Sequence, residues 1–147
     1  MKLFNVFDFE GIQLQAPTDT FSGMMTRKVG DKKVELHEVG PAHTKGDVLV
    51  FVPTDKMVFT GDILFIEGHP IMWVGPVANW IKACDLILSW EVETIVPGHG
   101  PITDKSGVRA VREYLVYIEA EARKRHAAGM SVMEAAQDIS LSLIHIW

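Results

Sequence analysis

The feature that most constrains this chain is a repeated junction, in which a short apolar run meets a glycine-bounded loop carrying a histidine or an aspartate. Residues 47–53 (DVLVFVP) are apolar on both faces, as in a strand covered on both sides. His43 lies in the loop just before them, Gly40-Pro41-Ala42-His43-Thr44-Lys45-Gly46. Residues 56–60 (KMVFT) read as the next strand after a Pro-Thr-Asp turn, and Asp62 follows in Thr60-Gly61-Asp62. Residues 93–96 read as a short strand ending in Pro97-Gly98-His99-Gly100-Pro101. Upstream, residues 29–39 read as a hairpin turning at Gly30-Asp31, with 34–39 alternating like a half-buried strand.

Helical patterns separate and follow these runs. Gly75-Pro76 opens a helix with proline at the first helical position, and Val77, Trp80, Ile81, Cys84 and Leu88 form one apolar stripe. A long helix is expected over residues 104–128, with Val108, Val111, Leu115, Ile118 and Ala122 facing inward and Gly129 as its stop. Ser131 and Glu134 have capping-box spacing for a last short helix through Ile139. Strands alternating with helices place the chain in the α/β class.

A chain of 147 residues suffices for one domain with its own core. Hydrophobic residues make up 48% and the mean hydropathy is +0.14, which leads us to expect apolar surface made to be covered. The net charge of −5 gives no reason to expect a nucleic-acid partner. No apolar run approaches the roughly 20 residues of a membrane-spanning helix. Acidic residues interrupt the N-terminal stretch where a signal peptide would be uniformly apolar, so the expected location is the cytoplasm. The single cysteine, Cys84, excludes an internal disulfide and a cysteine-based zinc site; it is expected in the core. Residues 1–140 read as one partial domain. Residues 141–147 depart from the pattern, resemble the translation of a transposon-end adaptor, and read as a non-native tail; a short apolar strand is the alternative, and His145 carries no functional weight in either case.

Taken singly, a histidine in a Gly-His-Gly turn or an aspartate after Thr-Gly has an ordinary structural account. The order His43, Asp62, His99 across three strand-end loops is more informative, because rigid loops at a sheet edge are where α/β proteins assemble sites. Flanking glycines let the backbone approach closely, and imidazole with carboxylate suits Zn²⁺, iron or Mn²⁺.

The strings GPAHTKGD, VFTGD and IVPGHGP, in this order, resemble the third, fourth and fifth metal motifs of the metallo-β-lactamase-fold hydrolases. The similarity spans residues 30–105. It implies the C-terminal half of an αββα sandwich, and one or two zinc ions. His43 would complete the first metal site, Asp62 would bridge both metals, and His99 would complete the second. The implied activity is hydrolysis of an ester, thioester, lactam or related bond of a small molecule, by water that the metal activates.

One departure matters. The family's first ligands come from an upstream His-x-His-x-Asp-His loop, and no such string occurs in this sequence. The expectation is therefore a truncated fragment of a larger hydrolase, holding half the ligands. Two other readings keep the same residues: iron in place of zinc, supporting redox chemistry on the same fold, or a non-catalytic half-domain that binds a partner. Lys45, His69 and Trp73 are candidates for a substrate cleft, with Met72 and Trp80 as further apolar wall, although solvation and packing account for such residues more simply. Asp47 is expected to fix the His43 loop by accepting backbone N–H bonds. His37 and His126 read as structural or solvent-facing.

Overall fold

The computed structural model describes residues 8–139. Five strands form one sheet in sequence order: β1 (Met24–Val29), β2 (Lys32–Glu38), β3 (Val48–Val52), β4 (Met57–Phe65) and β5 (Thr94–His99). The first four pair antiparallel, and β5 joins β4 in parallel. Parallel neighbours need a crossover, and helix α1 (Val77–Ser89) supplies it. Two more helices follow, α2 (Lys105–Ala127) and α3 (Val132–Asp138). The expected α/β class is observed as a mixed sheet with helices. The suggested tail, 141–147, lies outside the described residues.

Strand registers sort side chains onto two faces. The row Thr26, Glu35, Phe51, Val58 and Ile95 runs across all five strands on one face. Phe51, Val58 and Ile95 from it join Trp80, Ala83, Cys84 and Ile87 of α1 and Val108, Val111 and Leu115 of α2 in one buried cluster. The adjacent row, Met25, Leu36, Val50, Phe59 and Val96, is apolar throughout, yet none of the five belongs to that cluster or packs against it. Phe59 is 42% exposed. Part of the apolar surface expected from composition is thus one sheet face, and the both-sided hydrophobicity of 47–53 comes from β3 contributing to both rows.

Several boundaries differ from expectation, each for a local reason. Both β4 and β5 run past their expected ends, through Gly61-Asp62 and Pro97-Gly98, because irregularities in the β4–β5 ladder absorb these poor strand formers. Asp62 and His99 are therefore within strands rather than after them. β1 was not expected as a separate strand; its largely exposed MMTRKV has no clear apolar alternation. Pro76 is the N-cap of α1, one position before the first helical residue. The buried stripe of α1 is centred on Trp80, Ala83, Cys84 and Ile87, with Val77, Ile81 and Leu88 at its margins. On α2, Val108, Val111 and Leu115 are buried, whereas Ala122 is exposed.

The helix ends follow the sequence closely. Asp104 caps α2 by accepting from the Ser106 amide at 2.6 Å. At its C-terminus, Met130 N–H reaches the Arg125 carbonyl and Gly129 N–H the His126 carbonyl, a Schellman arrangement with Gly129 at φ 80°. Ser131 and Glu134 make the expected capping box on α3. Cys84 is buried, and desolvation pushes its thiol up to about 12, so it is a core residue as expected. His37 packs against Trp90 and pairs with Glu35 at 3.1 Å, and His126 faces solvent.

Candidate metal centre

The loop that carries His43 is built around one carboxylate. Asp47 accepts from the Ala42 and Thr44 amides at 3.0 Å and from the Thr44 hydroxyl at 2.7 Å, as anticipated for this residue. That collar turns the His43 ring inward, where it is buried against Phe65 and Trp80 (centroids 5.7 and 5.9 Å). Its Nδ1 donates to the Ile71 carbonyl at 2.5 Å. A ring nitrogen engaged in that way leaves Nε2 as the lone-pair nitrogen, the arrangement that orients histidine ligands.

Asp62 reaches the same point from the irregular stretch of β4, and His99 from the end of β5. His43 Nε2 lies 3.3 Å from Asp62 Oδ2, and His99 Nε2 lies 3.3 Å from Asp62 Oδ1. Each carboxylate oxygen thus faces a different imidazole. Gly98 permits this approach, since a Cβ there would stand 2.4 Å from Asp62 Oδ1 and 2.6 Å from the Gly61 backbone. His99 stacks on Phe65 at 4.3 Å, and its carbonyl accepts from the Ile66 amide at 2.9 Å. The returning chain is closed by the Ile95–Thr103 bridge. His43 is buried, whereas His99 and Asp62 are open to solvent (side chains 56% and 41% exposed).

The donor chemistry suits a transition metal or zinc: two imidazole Nε2 atoms and a carboxylate with one oxygen toward each. Among the described residues, no group of three or more His, Cys, Asp or Glu side chains is arranged to hold one ion. The trio, two imidazoles and one carboxylate, is what the described residues would offer a metal at this point, and a carboxylate shared between two ions would leave each ion with one imidazole. Each ion would need about two further protein ligands.

The family model for the metallo-beta-lactamase superfamily matches residues 16–99, more than half of the chain. The chain belongs to the metallo-beta-lactamase superfamily. That superfamily includes hydrolases such as lactamases and sulfatases, and its members generally bind metal ions, commonly zinc. The matched span contains His43, Asp62 and His99, the last being its final residue.

Solved structures agree on the fold. A metallo-beta-lactamase from Pontibacter korlensis is 24% identical with a TM-score of 0.60, over 69% of this chain and 49% of that one. A metallo-beta-lactamase family protein from Thermus thermophilus is 19% identical with a TM-score of 0.59, over 72% and 38%. The stereoselective inverting sec-alkylsulfatase Pisa1 from Pseudomonas sp. is 14% identical with a TM-score of 0.71, over 85% and 22%. The chain thus spans half or less of each of these superfamily structures. No helix among the described residues is long and apolar enough to cross a membrane.

The remaining cleft candidates separate. Trp80 is removed from the cleft: it is fully buried, and its indole N–H donates to the Ile63 carbonyl at 2.6 Å. Met72 and Trp73 are exposed, Lys45 is exposed on the His43 loop, and the His69 ring lies against Tyr114 of α2 at 5.8 Å. Sequence reasoning missed two partners of the trio. Phe65 lay beyond the expected end of β4, and the Ile71 contact is made by a main-chain carbonyl, which leaves no side-chain signature.

Proposed function

We propose that this chain carries part of a zinc-dependent hydrolytic centre that acts on an ester, thioester, lactam or related bond of a small molecule. The observation that carries this reading is the position of Asp62, one carboxylate oxygen toward His43 Nε2 and the other toward His99 Nε2, each at 3.3 Å. His43, Asp62 and His99 would hold the metal. Zinc bound there supplies a Lewis acid and lowers the pKa of water toward neutrality.

The chain's own residues set the geometry. Asp62 fixes the separation of the two imidazoles. Asp47 and the Ile71 carbonyl hold the His43 loop and ring, and Phe65 supports His99 from below. Lys45, exposed on the His43 loop, would meet an anionic group of the substrate, and His69 and Trp73, in the segment between β4 and α1, would line the cleft.

The test is zinc affinity of the chain by calorimetry, alongside hydrolysis of an ester, thioester and lactam panel by a form carrying the full ligand set. His43→Ala, Asp62→Asn and His99→Ala should each lower zinc affinity by about tenfold or more. Unchanged zinc affinity in all three variants, or a zinc-loaded protein inert across the panel, defeats the reading.

A further inference from the structure

The chain that leaves β4 is tied to both histidines of the trio. At its start, the Phe65 ring lies against His99 and His43 (centroids 4.3 and 5.7 Å), and the Ile66 amide donates to the His99 carbonyl at 2.9 Å. The approach is close, since a Cβ at Gly100 would stand 1.9 Å from the Ile66 carbonyl oxygen. At its far end, the Ile71 carbonyl accepts from His43 Nδ1, and the Trp73 amide donates to the His43 carbonyl at 3.2 Å. Residues 66–71 are therefore a strap that begins on one histidine and ends on the other. Within it, Glu67 takes left-handed backbone at φ 57°; among the described residues the other non-glycine with positive φ is Lys56. Glycine, asparagine and aspartate adopt that conformation readily, and a glutamate does not. Glycine stands one position later, at Gly68, and the Glu67 side chain is exposed, so neither local preference nor side-chain packing accounts for the turn. Strained backbone persists where its surroundings over-determine it, and here both ends of the strap are held.

We propose that Glu67 is a positioning residue: its left-handed turn sets the span of the strap, and through it the placement of His43 and His99 on the two oxygens of Asp62. The inference deepens the reading of the trio as a metal centre and rests on it. Partners that orient a ligand from behind tune its affinity for metal, and here one short segment serves as that partner for both imidazoles. A change in the backbone angle at residue 67 is therefore passed to two histidines that lie far apart in sequence.

The experiment compares Glu67→Val with Glu67→Asn. Both remove the charge, but asparagine tolerates left-handed backbone and a β-branched residue does not. The readouts are the imidazole NMR signals of His43 and His99 in the metal-free chain, and zinc affinity by calorimetry. Glu67→Val should move the signals of both histidines and weaken zinc binding by about tenfold, whereas Glu67→Asn should match the wild type in both. Should Glu67→Val not fold, Glu67→Thr, β-branched but polar, takes its place with the same two readings. Movement at His99 alone, movement at neither histidine, or equal effects of the Val and Asn variants overturns the strap. Zinc binding by the wild-type chain separates the two failures. Zinc bound while His43 ignores Glu67→Val removes only the strap; both histidines responding in a chain that binds no zinc removes the metal reading and leaves the coupling.

Discussion

At the scale of single residues, the centre depends as much on what is missing as on what is present. Gly98 has no side chain, and Asp62 occupies that space. Gly98→Ala should cost about 1–3 kcal/mol in urea unfolding, because a Cβ would press on Asp62 and on the Gly61 backbone and neither can retreat without disturbing the β4–β5 ladder. It should also weaken zinc binding, whereas a purely global destabilisation would leave the affinity of the folded fraction unchanged. The trio itself was legible in the sequence because glycine-bounded His and Asp residues at strand ends have few structural reasons to recur in order. Its supports were less so. Asp47 was legible, since a short acidic side chain three or four residues after a turn histidine commonly accepts backbone amides. The Ile71 carbonyl was not, because any residue offers one. Trp80 was ambiguous from sequence, since an indole suits a cleft wall and a core equally; the Ile63 carbonyl, which satisfies its N–H inside, decides for the core.

At the scale of elements, chemical punctuation was read more reliably than strand length. The helix caps at Asp104, Gly129 and Ser131 are where their residue types require them, because capping is local chemistry. The ends of β4 and β5 were not, because continuation through Gly61 and Pro97 depends on a partner strand that local sequence does not reveal. The Asp104 cap gives a pH signature. The Ser106 hydroxyl and then the Ser106 amide hold its carboxyl below the usual carboxylate range. A lowered folded-state value contributes stability that is present above the unfolded value of about 3.9 and is lost as pH falls through the folded one. Asp104→Ala should therefore destabilise the chain at pH 7, and the difference from wild type in thermal unfolding should shrink steadily below about pH 4. A difference that stays constant down to pH 2 would mean that the carboxylate charge contributes nothing to the cap.

At the scale of the whole molecule, the sheet has one face sealed by α1 and α2 and one apolar face that no part of the described core covers. The two faces should respond unequally to truncation. Ile95→Ala, beneath the helices, should cost about 2–5 kcal/mol, while Phe59→Ala, although it removes more atoms, should cost well under the 3–5 kcal/mol usual for a buried phenylalanine. Equal costs in chemical denaturation would show that the Phe59 face is packed after all. The fold class and the helix order were legible in the alternation of strand and helix patterns. The division of the sheet into a sealed and an open face was not, since it depends on cross-strand register.

The parallel pairing of β5 with β4 also has a consequence for when the centre can exist. Asp62 and His99 lie on the two strands that the α1 crossover joins, and His43 precedes both, so the trio is complete only after the chain from 43 to 99 has closed on itself. Long-range closure of this kind comes late, because its loop entropy is spent before any contact repays it. A metal held by these side chains would find only part of its site before β5 has joined β4. It would act as a latch on the finished fold, slowing escape from it far more than hastening arrival.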